Sequence, residues 1–180
     1  FYSNKRKASE IQKAIGIFNQ AIALDPTYAL AYVGLADCYA IMEQYAGLPG
    51  KETYPKAVAA ATRALELDNS LAEAHTTVAF ASYAMWNWDK AEQEFKTAFS
   101  LNPNYPTAYH WYSIMLRSLG RHEEASRSIR RAQELDPLSP IIGLSVAMAY
   151  SFEGNYEKAI QGMDAVLAID STFSPAYYRK

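Results

Sequence analysis

Ala91-Glu92-Gln93-Glu94-Phe95-Lys96-Thr97-Ala98-Phe99-Ser100-Leu101-Asn102-Pro103 carries the pattern on which the fold turns. Counting from Ala91, a bulky residue follows at the fourth position (Phe95), a small one at the seventh (Ala98) and Leu101 at the tenth, before Asn102 and Pro103. Offsets of zero, four and seven share one helix face. A large side chain between two small ones lets a second helix approach closely at the alanines and wrap around the phenylalanine. Pro103 cannot continue a helix and disfavours the helical region for the residue before it, so the pattern predicts a helix that stops here.

The same pattern recurs along the chain. Ala14, Ala57, Ala91, Ala125 and Ala159 stand 43, 34, 34 and 34 residues apart. The fourth position after each holds Phe18, Ala61, Phe95, Ile129 or Met163, so only Ala61 leaves its slot underfilled. The seventh holds Ala21, Ala64, Ala98, Ala132 or Val166, and the tenth Leu24, Leu67, Leu101, Leu135 or Ile169. Pro26, Pro103 and Pro137 follow as stops, with Asn69 and Ser171 in the same slot elsewhere. Upstream of the alanines lies a second helical pattern, anchored by Tyr32, Leu35, Ala36 and Tyr39, by His75, Val78 and Ala79, by Tyr109, Tyr112, Ser113 and Leu116, and by Val146, Ala147 and Tyr150. Gly120 and Gly154 fall between the two patterns, where a left-handed residue is easiest for glycine. Each unit therefore predicts helix, tight turn, helix, and a period in the thirties is the signature of stacked repeats.

With these slots on the page, the chain resembles the tetratricopeptide-repeat family, whose pattern sets a large residue, a Leu-Gly pair, a tyrosine, two alanines flanking a phenylalanine, and a proline at fixed positions. The resemblance covers essentially all residues, although Ala or Ser stands where the family prefers glycine in the first helix. It implies an all-α fold, an α-solenoid in which antiparallel helix pairs form a right-handed superhelix. A single array would span residues 1–180: a partial repeat at 1–28, a second at 29–71 with a nine-residue insertion, then 72–105, 106–139 and 140–173, and the start of a sixth repeat or a capping helix at 174–180. Trp86 occupies the turn slot held elsewhere by Gly120 and Gly154, and Asn87 is expected to take the positive-φ conformation in its place. The insertion falls around Glu43 to Thr53. It is either a partner-contacting loop or an elongated first helix with a loop packed on its own repeat, the latter being favoured because loop insertions cost little. Phe1–Lys7 is too short for a first helix and Ser174–Lys180 opens a unit without closing it, which suggests a segment of a longer protein.

Composition narrows the function. Half of the residues are hydrophobic, 20% are charged and the net charge is −2, so no strongly acidic or basic partner is demanded. Arg121, Arg127, Arg130 and Arg131 form one positive patch. Glu123, four residues before Arg127, favours a solvated helix face over a nucleic-acid contact, and no nucleic acid is expected to bind this segment. No apolar run approaches the roughly 20 residues needed to span a bilayer, so no membrane partner is expected. Cys38 alone makes no internal disulfide and reads as a small core residue, in keeping with a cytoplasmic protein. His75, His110 and His122 occupy different slots of their repeats, and no metal, cofactor or catalytic residue is assigned.

The resemblance also implies where partners bind. In this family the first helices line a concave groove, and the matching slots here point to Val33, Asp37 and Ile41, Thr76, Phe80 and Tyr83, His110, Ile114 and Arg117, and Leu144, Met148 and Phe152. The lysine and asparagine with which some members clamp a terminal carboxylate are absent, since Val33 and Asp37, Thr76 and Phe80, or His110 and Ile114 stand in those slots. The expected function is thus a non-enzymatic scaffold binding a protein or peptide segment through apolar anchors. The alternative is a self-association module that pairs two copies through the terminal repeats or the insertion. Pro26 through Tyr39, Tyr54-Pro55-Lys56-Ala57 and Trp86-Asn87-Trp88 resemble tetratricopeptide regions of bacterial multidomain transcriptional regulators and signalling proteins, which implies a regulatory parent protein.

Overall fold

The computed structural model describes residues 7–173 and residue 176. The expected sixth unit or capping helix at 174–180 therefore lies, apart from residue 176, outside the described residues, as do residues 1–6 of the partial first repeat. The described residues form nine helices and no strand: α1 (Ala8–Leu24), α2 (Ala29–Ala46), α3 (Gly50–Leu67), α4 (Ala72–Ala84), α5 (Trp88–Leu101), α6 (Pro106–Ser118), α7 (His122–Leu135), α8 (Pro140–Phe152) and α9 (Tyr156–Ile169). The contacts divide the chain into two compact units, Phe1–Pro103 and Asn104–Lys180.

The helix stops share one chemistry. At Asp25, Asp68, Asn102, Asp136 and Asp170 the backbone leaves the helix while the amide still donates to the carbonyl four residues back, at Ala21, Ala64, Ala98, Ala132 and Val166. In three of these turns the aspartate carboxylate then accepts both the amide and the hydroxyl of the residue two further on. The pairs are Asp25 with Thr27, Asp68 with Ser70 and Asp170 with Thr172. The side chain thus offers the chain a turn in place of another helical bond, and where proline is missing this turn does the stopping.

The tight turns within the pairs are also alike, and here one expectation is corrected. Trp86 itself takes the left-handed conformation, with φ 65°, as Gly120 and Gly154 do at 74° and 76°. The three turns make matching bonds: the amides of Asn87, Arg121 and Asn155 donate to the carbonyls of Ser82, Leu116 and Tyr150 at 2.9, 2.9 and 2.8 Å. Asn87 has φ −94°, and its side chain accepts the Lys90 amide at 3.4 Å to cap α5. Asn155 caps α9 in the same way through Lys158. The asparagine is needed as a cap and cannot also be the left-handed residue, so the strain falls on the tryptophan.

The nine extra residues lengthen helices rather than form a long loop. Both α2 and α3 run 18 residues against 13 or 14 in α4 to α9, and only Gly47, Leu48 and Pro49 link them. Gly47 turns the chain at φ 65°. Glu43 near the end of α2 closes the structure by accepting the Gly50 amide at 3.3 Å and the Tyr54 hydroxyl.

Packing follows the small-large stripe. In the first unit, Ala60 and Ala61 are buried with Leu35, Ala36 and Val78, and Phe18 and Tyr39 pack against that cluster, so the slot at Ala61 is filled by its neighbours. Gly34 permits the contact between α1 and α2, because a Cβ there would lie 2.2 Å from the Phe18 ring. Phe95 is fully buried and stacks on Phe99 with ring centroids 6.3 Å apart. In the second unit, Ile129, Ala132, Ile142 and Val146 form one buried cluster and Leu144, Ala147, Met163 and Val166 another. Among the described residues no helix is long and apolar enough to cross a membrane.

Candidate interaction faces

In the first unit the expected groove residues divide by depth. Val33 is buried against Ala64 and Ala74, Ile41 is buried, and Thr76 is wholly buried with its hydroxyl donating to the Ala72 carbonyl at 2.8 Å. These three lie beneath the face and offer nothing to a partner in this conformation. Asp37 is half-buried and accepts a hydrogen bond from the Thr77 hydroxyl, tying α2 to α4. Phe80 and Tyr83 are half-buried, with ring centroids 5.8 Å apart, and they begin a ladder of rings. Tyr83 meets Trp88 at 5.5 Å and Trp88 meets Trp86 edge-on at 5.4 Å. The ladder joins Phe80 and Tyr83 to two tryptophans that the groove slots do not include. Tryptophan in a glycine slot was the signal that could have marked them.

The insertion comes close to this ladder. Tyr54 is buried, and desolvation together with its hydrogen bond to the Glu43 carboxylate pushes its phenol well above the ordinary tyrosine value. The Tyr83 phenol adds a smaller contribution in the same direction.

In the second unit, His110 is buried and its Nε2 lies 2.9 Å from the Ser145 hydroxyl, while Leu144 is buried in its apolar cluster. Ile114, Arg117 and Met148 are half-buried, and Phe152 is 65% exposed. The Arg117 guanidinium stands 5.4 Å over the Phe152 ring. Both belong to a cleft of about 370 Å³ between α6, α7 and α8, whose walls include Ile129 and Ala149 on the apolar side and Ser113 and Ser145 on the polar side. Five of the twelve expected residues, Val33, Ile41, Thr76, His110 and Leu144, are thus inside, because neighbouring helices close over those slots. Asp37, Phe80, Tyr83, Ile114, Arg117, Met148 and Phe152 keep accessible surface.

The arginines of α7 and the Arg121 that precedes it are engaged. Arg121 bonds Glu124 at 2.7 Å, Arg127 lies 3.9 Å from Glu123, Arg130 reaches Glu153 at 3.0 Å and Arg131 meets Glu134 at 2.9 Å. Exposed pairs of this kind neutralise a helix face and add little stability. His75 is likewise committed, its Nδ1 lying 2.7 Å from Glu94.

Helices paired through tight turns and repeated at a fixed interval define an α-solenoid, assembled from units that bury their apolar faces only on one another. Residues 81–140, a third of the chain, match the family model described as Tetratricopeptide repeat. Anaphase-promoting complex subunit 3 of Schizosaccharomyces pombe is 21% identical over 90% of this chain and 23% of its own length. Transcriptional regulator HilA of Salmonella typhimurium is 24% identical over 88% of this chain and 29% of its own length. The chain thus spans about a quarter of the length of these relatives. Among solved structures, TTC0263, a thermophilic tetratricopeptide-repeat protein of Thermus thermophilus, superposes with a TM-score of 0.75 at 18% identity, covering 95% of this chain and 89% of that one. That likeness shows the fold.

Proposed function

We propose that this chain is a non-enzymatic scaffold that binds a peptide or helical segment of another protein on the exposed parts of its first-helix faces. Tetratricopeptide-repeat proteins are in general protein-interaction scaffolds, and the finer reading rests on one feature. That feature is the cleft between α6, α7 and α8, with the exposed Phe152 ring under the Arg117 guanidinium. An apolar anchor fits against Phe152, Ile129 and Ala149, and Arg117 orients a polar or acidic neighbour of that anchor. Phe80 and Tyr83 are the corresponding apolar surface of the first unit. The similarity to a transcriptional regulator over 88% of this chain favours a regulatory parent protein.

Selection of displayed 12-residue peptides against the chain tests this reading. Enriched peptides should carry apolar anchors and should lose at least tenfold in affinity for the Arg117→Ala, Phe152→Ala double variant. Equal binding by that variant would remove the cleft as the partner site. Light scattering over a concentration series separates peptide binding from pairing of two copies.

A further inference from the structure

The first helices of the two units differ in the sign of their charge. Together α2 and α4 hold three carboxylates, Asp37, Glu43 and Glu73, and no lysine or arginine, whereas α6 and α8 hold Arg117 and no carboxylate. Glu43 is committed to the start of α3 through the Gly50 amide and the Tyr54 hydroxyl. Asp37 and Glu73 remain.

Helix geometry places these two among apolar neighbours. Leu30 and Asp37 stand seven residues apart on α2, and Glu73 and Phe80 seven apart on α4, so each pair shares one helix face. The Thr77 hydroxyl meets the Asp37 carboxylate and lies 3.2 Å from the Glu73 carbonyl oxygen, which sets the two acidic positions beside one another across the helices. Leu30 is 50% exposed, and Asp37, Glu73 and Phe80 are half-buried. Apolar and acidic side chains therefore alternate over one surface.

The described cations of the first unit are placed elsewhere. Lys13 pairs with Glu10, Arg63 with Glu66 and Lys96 with Glu92, and Lys56 lies over Tyr39. Lys7 caps the start of α1, and Lys51 and Lys90 stand in the first turns of α3 and α5, at the opposite end of the helix pairs from Glu73. Among the described residues no cation meets Glu73. Two carboxylates on helices that lack any basic residue give this face a negative potential.

We propose that the face shared by α2 and α4 docks a basic amphipathic segment of a partner polypeptide, its lysine or arginine side chains meeting Asp37 and Glu73 and its apolar side chains meeting Leu30 and Phe80. This rests on the reading of the first-helix faces as binding surfaces and adds the chemistry of the partner at the first unit.

The probe is a fluorescent twelve-residue peptide of lysine and leucine, compared by anisotropy with the same peptide carrying glutamine for lysine. The lysine peptide should bind at least tenfold more tightly. Asp37→Asn with Glu73→Gln, which keeps an acceptor for Thr77 and removes both charges, should weaken that binding at least fivefold. Glu52→Gln with Asp89→Asn, which removes two carboxylates of the same unit away from this face, should leave it unchanged, as should Arg117→Ala with Phe152→Ala. Glu73→Lys should lose the lysine peptide and bind its glutamate counterpart, a reversal that a folding defect does not produce. Equal affinity of the glutamine peptide would overturn the proposal. Equal losses in the two charge-removing variants would overturn it in favour of unspecific attraction to the net charge. A wild-type dimer in light scattering that Asp37→Asn with Glu73→Gln separates would assign the face to a second copy of the chain and overturn it too. No binding of the lysine peptide, with displayed peptides still selected through Arg117 and Phe152, would overturn this proposal and leave the cleft standing.

Discussion

Phe95 shows how one side chain carries a unit. It has no exposed surface, lies between the buried Ala91 and Ala98, and stacks on Phe99. Truncation would remove its transfer free energy and leave a cavity that two alanines cannot fill. Phe95→Ala should therefore cost about 3–5 kcal/mol in denaturant unfolding. A loss near zero would mean that the stripe does not pack as described. This residue was legible in the sequence because a large side chain at fixed distance from two small ones has one physical use. Trp86 was not. Its slot signalled a left-handed residue, but the competing need for Asn87 as a cap became visible only when the Lys90 amide was seen to point at it.

Among the elements, α2 and α3 depart furthest from the repeat, and their extra turns are joined by Glu43 and Tyr54. The Tyr54 phenol is held above its ordinary value by burial and by Glu43, so the folded state binds that proton more tightly than the unfolded chain does. Stability from this group is present below pH about 10, the unfolded tyrosine value, and is lost as pH rises above it. Wild type should lose stability more steeply than Tyr54→Phe when chemical denaturation is followed from pH 9 to 11. Parallel curves would show that the pair contributes no linkage. The insertion could be counted from the interval of 43 residues, but its fate depended on whether Glu43 and Tyr54 met across α2 and α3. Their separation of 11 positions does not decide that.

For the whole molecule, the same stop recurs between helix pairs, and it carries a charge. Asp25 and Asp68 are held below the ordinary carboxylate value by hydrogen bonds from Thr27 and Ser70, and Glu124 by its bond from Arg121. A lowered folded value means stability that is present above pH about 4 and lost as pH falls through the folded values. Thermal melts from pH 6 to 2.5 should therefore show a decline below pH 4 that Asp68→Asn makes shallower. An unchanged slope would remove the turn carboxylates as its cause. The helix content, the pairing rule and the stops of this protein were determined by the sequence alone, because periodicity, side-chain volume and turn chemistry act over a few residues. Which slots of the first helices remain open to a partner was decided only by tertiary structure. Ile41 and Phe152 hold the same slot of their repeats, yet Ile41 is covered and Phe152 is not. Coverage depends on the size and approach of the neighbouring helix, a property of two surfaces in contact that neither stretch of sequence carries by itself.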